Sequence, residues 1–110
     1  MTDGHDWNHQ YQETVWVWND LQTKNINFLK AYRLDIQFMP ASSAADAVGL
    51  TEALRAAGYD VKAYRNNPTV EATTSAMLLT LESIWQHERK ATEIALRYGF
   101  KPDGWGFFED

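Results

Sequence analysis

Cysteine is absent from this 110-residue chain. That excludes disulfide frameworks, thiolate metal sites and thiol nucleophiles. Positive charge is scarce: ten Lys and Arg against fifteen Asp and Glu leave a formal net charge of −5. Holding nucleic acid through phosphates requires clustered cations, so no direct nucleic-acid partner is expected. The densest basic group, Arg89, Lys90, Arg97 and Lys101, has Glu82, Glu88 and Glu93 among it and reads as a solvated helix face. No apolar run approaches the length of a membrane span, so no membrane partner is expected. The segment Met1-Thr2-Asp3-Gly4-His5-Asp6 lacks the basic start and apolar stretch of a signal peptide, which makes the expected location cytoplasmic. The six glycines are dispersed and form no phosphate-cradling loop.

Catalytic signals are missing in the same way. Ser42, Ser43, Ser75 and Ser83 sit in cap or strand positions with no nucleophile-elbow turn around them,. The three histidines are His5, His9 and His87. His5, Asp6, His9 and Glu13 are close enough in sequence to suggest a metal cluster. Only the His9–Glu13 step has helical spacing, and a closed site needs three or four supported ligands. His87 reads as a surface or boundary histidine. Asp103 with Glu109 or Asp110 reads as solvated carboxylates flanking a turn. No catalytic residue, metal or cofactor is therefore expected.

What is present is a packable core. Hydrophobic residues make up 45% of the chain and aromatics 14%, with five tryptophans. That composition excludes disorder, and the length fits one domain. Trp7, Tyr11, Val15, Trp18 and Leu21 recur at helical steps within residues 7–27,. The run Val15-Trp16-Val17-Trp18 competes as a strand, but the stripe extends over the whole segment and predicts a helix. From Ala31 to Met39 the period becomes two, with Leu34, Ile36 and Phe38 inward, and Pro40 ends the strand,.

Ser42 or Ser43 is expected to cap the next helix. Its apolar face is drawn from Ala44, Val48, Leu54 and Ala57, or from Ala45, Ala53 and Ala56, and Gly58 stops it,. Tyr59 to Arg65 alternates as a second strand, with Val61 and Ala63 on one face. Asn66-Asn67-Pro68 signals a turn. Val70 to Met77 reads as a third strand, with Val70, Ala72, Thr74 and Ala76 inward,. Thr80 caps a long helix to Tyr98, buried along Leu81, Ile84, Trp85, Ala91, Ala95 and Tyr98,. Gly99 ends it, Lys101-Pro102-Asp103-Gly104 reads as a turn, and Trp105 to Phe108 as a fourth strand.

The expected fold is α+β: a ferredoxin-like βαββαβ sandwich with an additional N-terminal helix. Residues 1–28 form the helical extension and 29–110 the ferredoxin-like domain, in one globular unit. Right-handed crossovers place both domain helices on one sheet face. The other face then carries Arg33, Asp35, Gln37, Met39, Lys62, Tyr64, Glu71 and Thr73. The N-terminal helix is expected over part of that face or along an edge.

The C-terminal segment, Ala95-Leu96-Arg97-Tyr98-Gly99-Phe100 running into Asp103-Gly104-Trp105-Gly106-Phe107-Phe108-Glu109-Asp110, resembles the end of the regulator of ribonuclease E activity B (RraB) family. There a helix closes on an aromatic–Gly pair, and Asp-Gly-Trp-Gly, aromatics and an acidic pair follow. Leu54-Arg55-Ala56-Ala57-Gly58-Tyr59-Asp60-Val61 is similar to that family's passage from an Ala-rich helix into the second strand. The resemblance covers about residues 10–110. Familiar members carry a long acidic extension, whereas this sequence ends at Glu109-Asp110.

The resemblance implies regulation by protein binding, with ribonuclease E as partner and no catalytic residues. Asp103, Gly104, Trp105 and Gly106 read as a structural signature: a tight turn, an indole dropped between sheet and helix, and a close backbone approach at Gly106. Among the remaining aromatics, Trp7, Trp16, Trp18, Tyr32, Trp85, Phe107 and Phe108, interface anchors are sought. Trp16, Trp18 and Tyr64 are the candidate interaction residues, with some of them expected to be exposed. A homodimer through a sheet edge or the open face is a further expectation. The alternative is a dimerising structural or small-ligand-sensing domain unconnected with ribonuclease E.

Overall fold

The computed structural model describes residues 4–64 and 66–109. Within them the elements run α1 (Trp7–Gln22), β1 (Ala31–Pro40), α2 (Ala47–Ala56), β2 (Asp60–Tyr64), β3 (Asn67–Thr73), β4 (Met77–Leu78), α3 (Leu81–Arg97) and β5 (Phe100–Phe108). The architecture is α+β, with one sheet of five strands. β1 is its hub and pairs antiparallel with β3, β4 and β5, while β2 pairs antiparallel with β3. Arg65 lies outside the described residues, as do the first three residues and Asp110.

The period-two pattern of β1 determines the layers. Tyr32, Leu34, Ile36 and Phe38 are buried and alternate with half-buried Arg33, Asp35 and Gln37. They share one core with Leu50 and Leu54 of α2 and Ile84, Ala91 and Ala95 of α3. Burial of a side chain such as Leu34, Ile36 or Phe38 contributes about 1.5–3 kcal/mol. Cross-strand partners share a face, so the opposite face carries Arg33, Asp35 and Gln37 beside Glu71, Thr73, Asp60 and Lys62. Polar contacts cover it: Arg33 pairs with Asp60, Thr73 Oγ1 donates to Asp35 at 3.2 Å, and the Tyr64 hydroxyl donates to Glu71 at 3.0 Å.

Several boundaries move, each for a tertiary reason. The first helix forms as the stripe predicts but ends at Gln22, where the Thr23 hydroxyl donates back to Asp20 O at 2.7 Å. α2 starts at Ala47 under an Asp46 cap, not at Ser42 or Ser43. Ala41 N donates to Gly99 O and Asp46 N to Tyr98 O, and these bonds hold residues 41–46 against the end of α3. Its buried face is Leu50 and Leu54, while Val48 and Ala56 are exposed.

The expected third strand is two. β3 takes in Asn67 and Pro68, which were read as a turn, and stops at Thr73. There the Thr74 hydroxyl accepts from Leu34 N at 3.0 Å, standing in for a ladder carbonyl. Ala76, expected inward, is exposed. β5 begins at Phe100, five positions before the expected strand, and absorbs the Lys101–Gly104 turn signal. Between the Ile36–Trp105 and Phe38–Pro102 pairs, Asp103 and Gly104 stand against Gln37 alone. That is a β-bulge, and Gly104 takes its left-handed residue at φ +108°,. No atom lies within 4 Å of where a Cβ would stand on Gly106, so a close backbone approach is not its role.

Candidate functional site

α1 lies against α3. Its stripe residues Trp7, Tyr11, Val15, Trp18 and Leu21 are only half-buried, and its two buried side chains are polar, Gln10 and Thr14. Gln10 Nε2 donates to Glu88 Oε2 at 2.9 Å and to Thr92 Oγ1 at 3.1 Å. Thr14 Oγ1 donates to Glu88 Oε1 at 2.5 Å. From β5, Trp105 Nε1 donates to Thr14 Oγ1 at 3.4 Å, and from the N-terminal side His5 Nε2 donates to Gln10 Oε1 at 2.7 Å. Trp105 thus reaches α1, with its indole packed at the edge of the core.

Glu88 is the centre of this network. Read from sequence it belongs to a solvated face, yet it is 4% exposed. α1 covers it and offers neutral donors. Burial pushes its carboxyl above the ordinary carboxylate value, the bonds from Thr14 and Gln10 pull it back, and nearby Glu13 pushes it further up,. Sequence reasoning missed this residue because amphipathic patterns register apolar stripes. The available signal was that Gln10 and Thr14 share the helical spacing of Trp7, Tyr11, Trp18 and Leu21.

A cleft of about 560 Å³ opens beside the network, with His9 and Glu13 on one wall, Lys101, Asp103 and Trp105 on the other, and Glu88 between. Its charges are mainly carboxylates, so it favours positive groups. Outside the cleft's lining, α1 and α3 also meet through rings: Trp85 meets Trp7 and Tyr11 edge-on at 6.3 and 5.0 Å, and the Arg89 guanidinium sits 5.4 Å from the Trp7 ring. His5, Asp6, His9 and Glu13 do not converge on one point. Asp6 caps α1 through His9 N, His5 bonds Gln10, and His9 meets Glu13 at 3.2 Å in the open. Among the described residues no group of three or more such side chains could hold a metal ion.

The other candidates stand apart from the cleft. Trp16 is 71% exposed on α1, and Tyr64 is 46% exposed on β2. Trp18 is half-buried, with its ring 5.1 Å from Phe28. A further exposed group lies at one end of β1. Leu78 pairs with Ala31, Phe108 pairs with Arg33, and Leu29 precedes the strand; all three are exposed. The Arg33 guanidinium packs 5.9 Å from the Phe108 ring. His87 is half-buried, and its Nδ1 shares a hydrogen bond of 2.9 Å with the Tyr59 hydroxyl. Burial pushes Tyr59 up to about 12 and, with Lys90 beside it, lowers His87. Both shifts favour that neutral pair. No helix among the described residues is long and apolar enough to cross a membrane.

Fold and surface together define a small α+β domain with exposed aromatic side chains and a polar seam beneath its first helix. Residues 12–107 match the family described as regulator of ribonuclease activity B, RraB. The chain belongs to that family, which is one of regulators of ribonuclease activity and not of catalysts. No curated protein matches the sequence.

Proposed function

We propose that this protein is a protein-binding modulator of a ribonuclease, with ribonuclease E as its partner, and that it has no catalysis of its own. Membership of the RraB family over residues 12–107 carries this reading. Exposed Trp16 and Tyr64 support it, since Trp and Tyr are favoured anchors at protein interfaces,. Trp18 contributes through its uncovered edge. The reading includes a cytoplasmic setting, where RNA is turned over, and no metal, cofactor or direct nucleic-acid contact.

Residues 29–110 are read as a ferredoxin-like domain and 1–28 as its helical extension. The antiparallel path β2-β3-β1, with β5 also on β1 and a helix before both β2 and β5, supports this. Asp103, Gly104, Trp105 and Gly106 serve structure in this reading: Asp103 and Gly104 as bulge, Trp105 in the seam, and Gly106 as a ladder residue opposite Asp35. A second reading, self-association as a homodimer, is favoured by the exposed corner of Leu29, Leu78 and Phe108,.

The test is retention of purified ribonuclease E on the immobilised chain. Wild type is expected to retain the nuclease, and Trp16→Ala or Tyr64→Ala to weaken retention by about tenfold, or roughly 1.4 kcal/mol. If wild type retains none, the modulator reading fails. A dimer in sedimentation of the free chain then favours the second reading.

A further inference from the structure

We infer that α1 is a detachable arm, lifting from α3 and β5 as a unit about residues 23–25 while the sheet, α2 and α3 stay folded. The composition of its seam is the reason. Hydrophobic attachment grows with apolar surface removed from water. α2 seats Leu50 and Leu54 fully in the core, and α3 seats Ile84, Ala91 and Ala95. α1 seats no apolar side chain fully: Gln10 and Thr14 are its buried residues, Trp7, Tyr11 and Trp18 are half-buried, with Trp18 at the edge of the core, and Trp16 is exposed. Hydrogen bonds such as theirs contribute much less net than their strength in isolation, because water replaces them on opening.

The middle of the seam also holds a carboxylate whose donors, Gln10 and Thr14, are neutral. An ionised Glu88 regains water when α1 lifts, and this favours the open state. Asp6, His9 and Glu13 of the arm side, with His5 before it, and Lys101 and Asp103 of β5 line the same cleft. Of these, Glu13 raises the cost of charging Glu88. Protonation of Glu88 therefore closes the arm, and ionisation loosens it. The hinge is short because the chain is anchored again immediately after it. Ile26 and Phe28 pack on the core, and the Tyr32 hydroxyl donates to Asn27 O at 2.9 Å. Lifting uncovers Trp85 and Trp105, the rings that α1 shields. The inference concerns the free chain and stands whether or not a nuclease is its partner.

Amide hydrogen exchange of the whole chain, resolved by mass spectrometry and corrected for intrinsic rates, tests it. α1 is expected to show protection at least about tenfold below that of β1. Glu88→Gln, an isostere without the charge, is expected to raise α1 protection severalfold near neutral pH and to leave β1 unchanged. As pH rises from below the ordinary carboxylate value toward neutral, wild-type α1 should lose protection relative to β1,. Equal protection of α1 and β1 means that the helix opens only with the whole fold and overturns the inference. So does a Glu88→Gln effect of the same size in α1 and β1. If that variant fails to fold, the wild-type comparison decides alone.

Discussion

Thr14 holds two neighbours at once: it donates to Glu88 and accepts from Trp105. Thr14→Val keeps the shape and removes both bonds. It leaves a buried carboxylate with one donor fewer and a partly buried indole N–H without its partner. The expected loss is about 1–3 kcal/mol, measured as a lower urea midpoint at unchanged slope. An equal midpoint for variant and wild type would mean that water already supplies these bonds. Such a site is faint in the sequence. Glu88 has helix-surface neighbours, and what buries it is a polar pair more than seventy positions away. Trp16 was legible as an exposed ring because it falls outside the stripe of Trp7, Tyr11, Trp18 and Leu21. Gly104 was legible as a left-handed residue, but the type of turn it serves was not.

α3 shows what local chemistry specifies well. Thr80, readable as a cap before any fold is known, accepts from Ser83 N at 3.0 Å, and the Ser83 hydroxyl accepts from Thr80 N at 2.9 Å, which makes the cap reciprocal,. Thr80→Ala is expected to cost about 1 kcal/mol, seen as a lower thermal midpoint with the far-ultraviolet spectrum retained. No change in midpoint would mean that packing along Ile84, Ala91 and Ala95 alone sets where this helix begins. β5 shows the opposite case. Lys101-Pro102-Asp103-Gly104 has the composition of a turn, and only pairing with β1 makes it a bulged strand. Turn and bulge both need a glycine at positive φ, so the residue types cannot separate them. α2 was likewise shortened by bonds from Ala41 and Asp46 to the end of α3, which no capping rule foresees.

At the scale of the whole molecule, two titrations oppose each other. The folded state holds the His87 proton less tightly than an unfolded chain, whose value is near 6.5. His87 therefore favours the fold above that pH, and the contribution is lost as pH falls below it. Glu88 is shifted up, so the fold holds its proton more tightly, and its penalty disappears as pH falls through its folded value. His87→Gln keeps an acceptor for Tyr59 and removes the first titration. Urea midpoints are expected to fall less between about pH 7 and about pH 5 in this variant than in wild type. Parallel falls would assign the acid sensitivity to other groups.

The sequence by itself determined the class, the half-buried first strand, both capped ends of α3 and the aromatic first helix. Each of these is set by side-chain period, caps and glycine stops within a few residues of each other. Tertiary structure alone decided the split of β3 from β4, the bulge in β5, the start of α2 and the burial of Glu88. Each of those depends on hydrogen bonds between residues remote in the chain, which have no local period to reveal them.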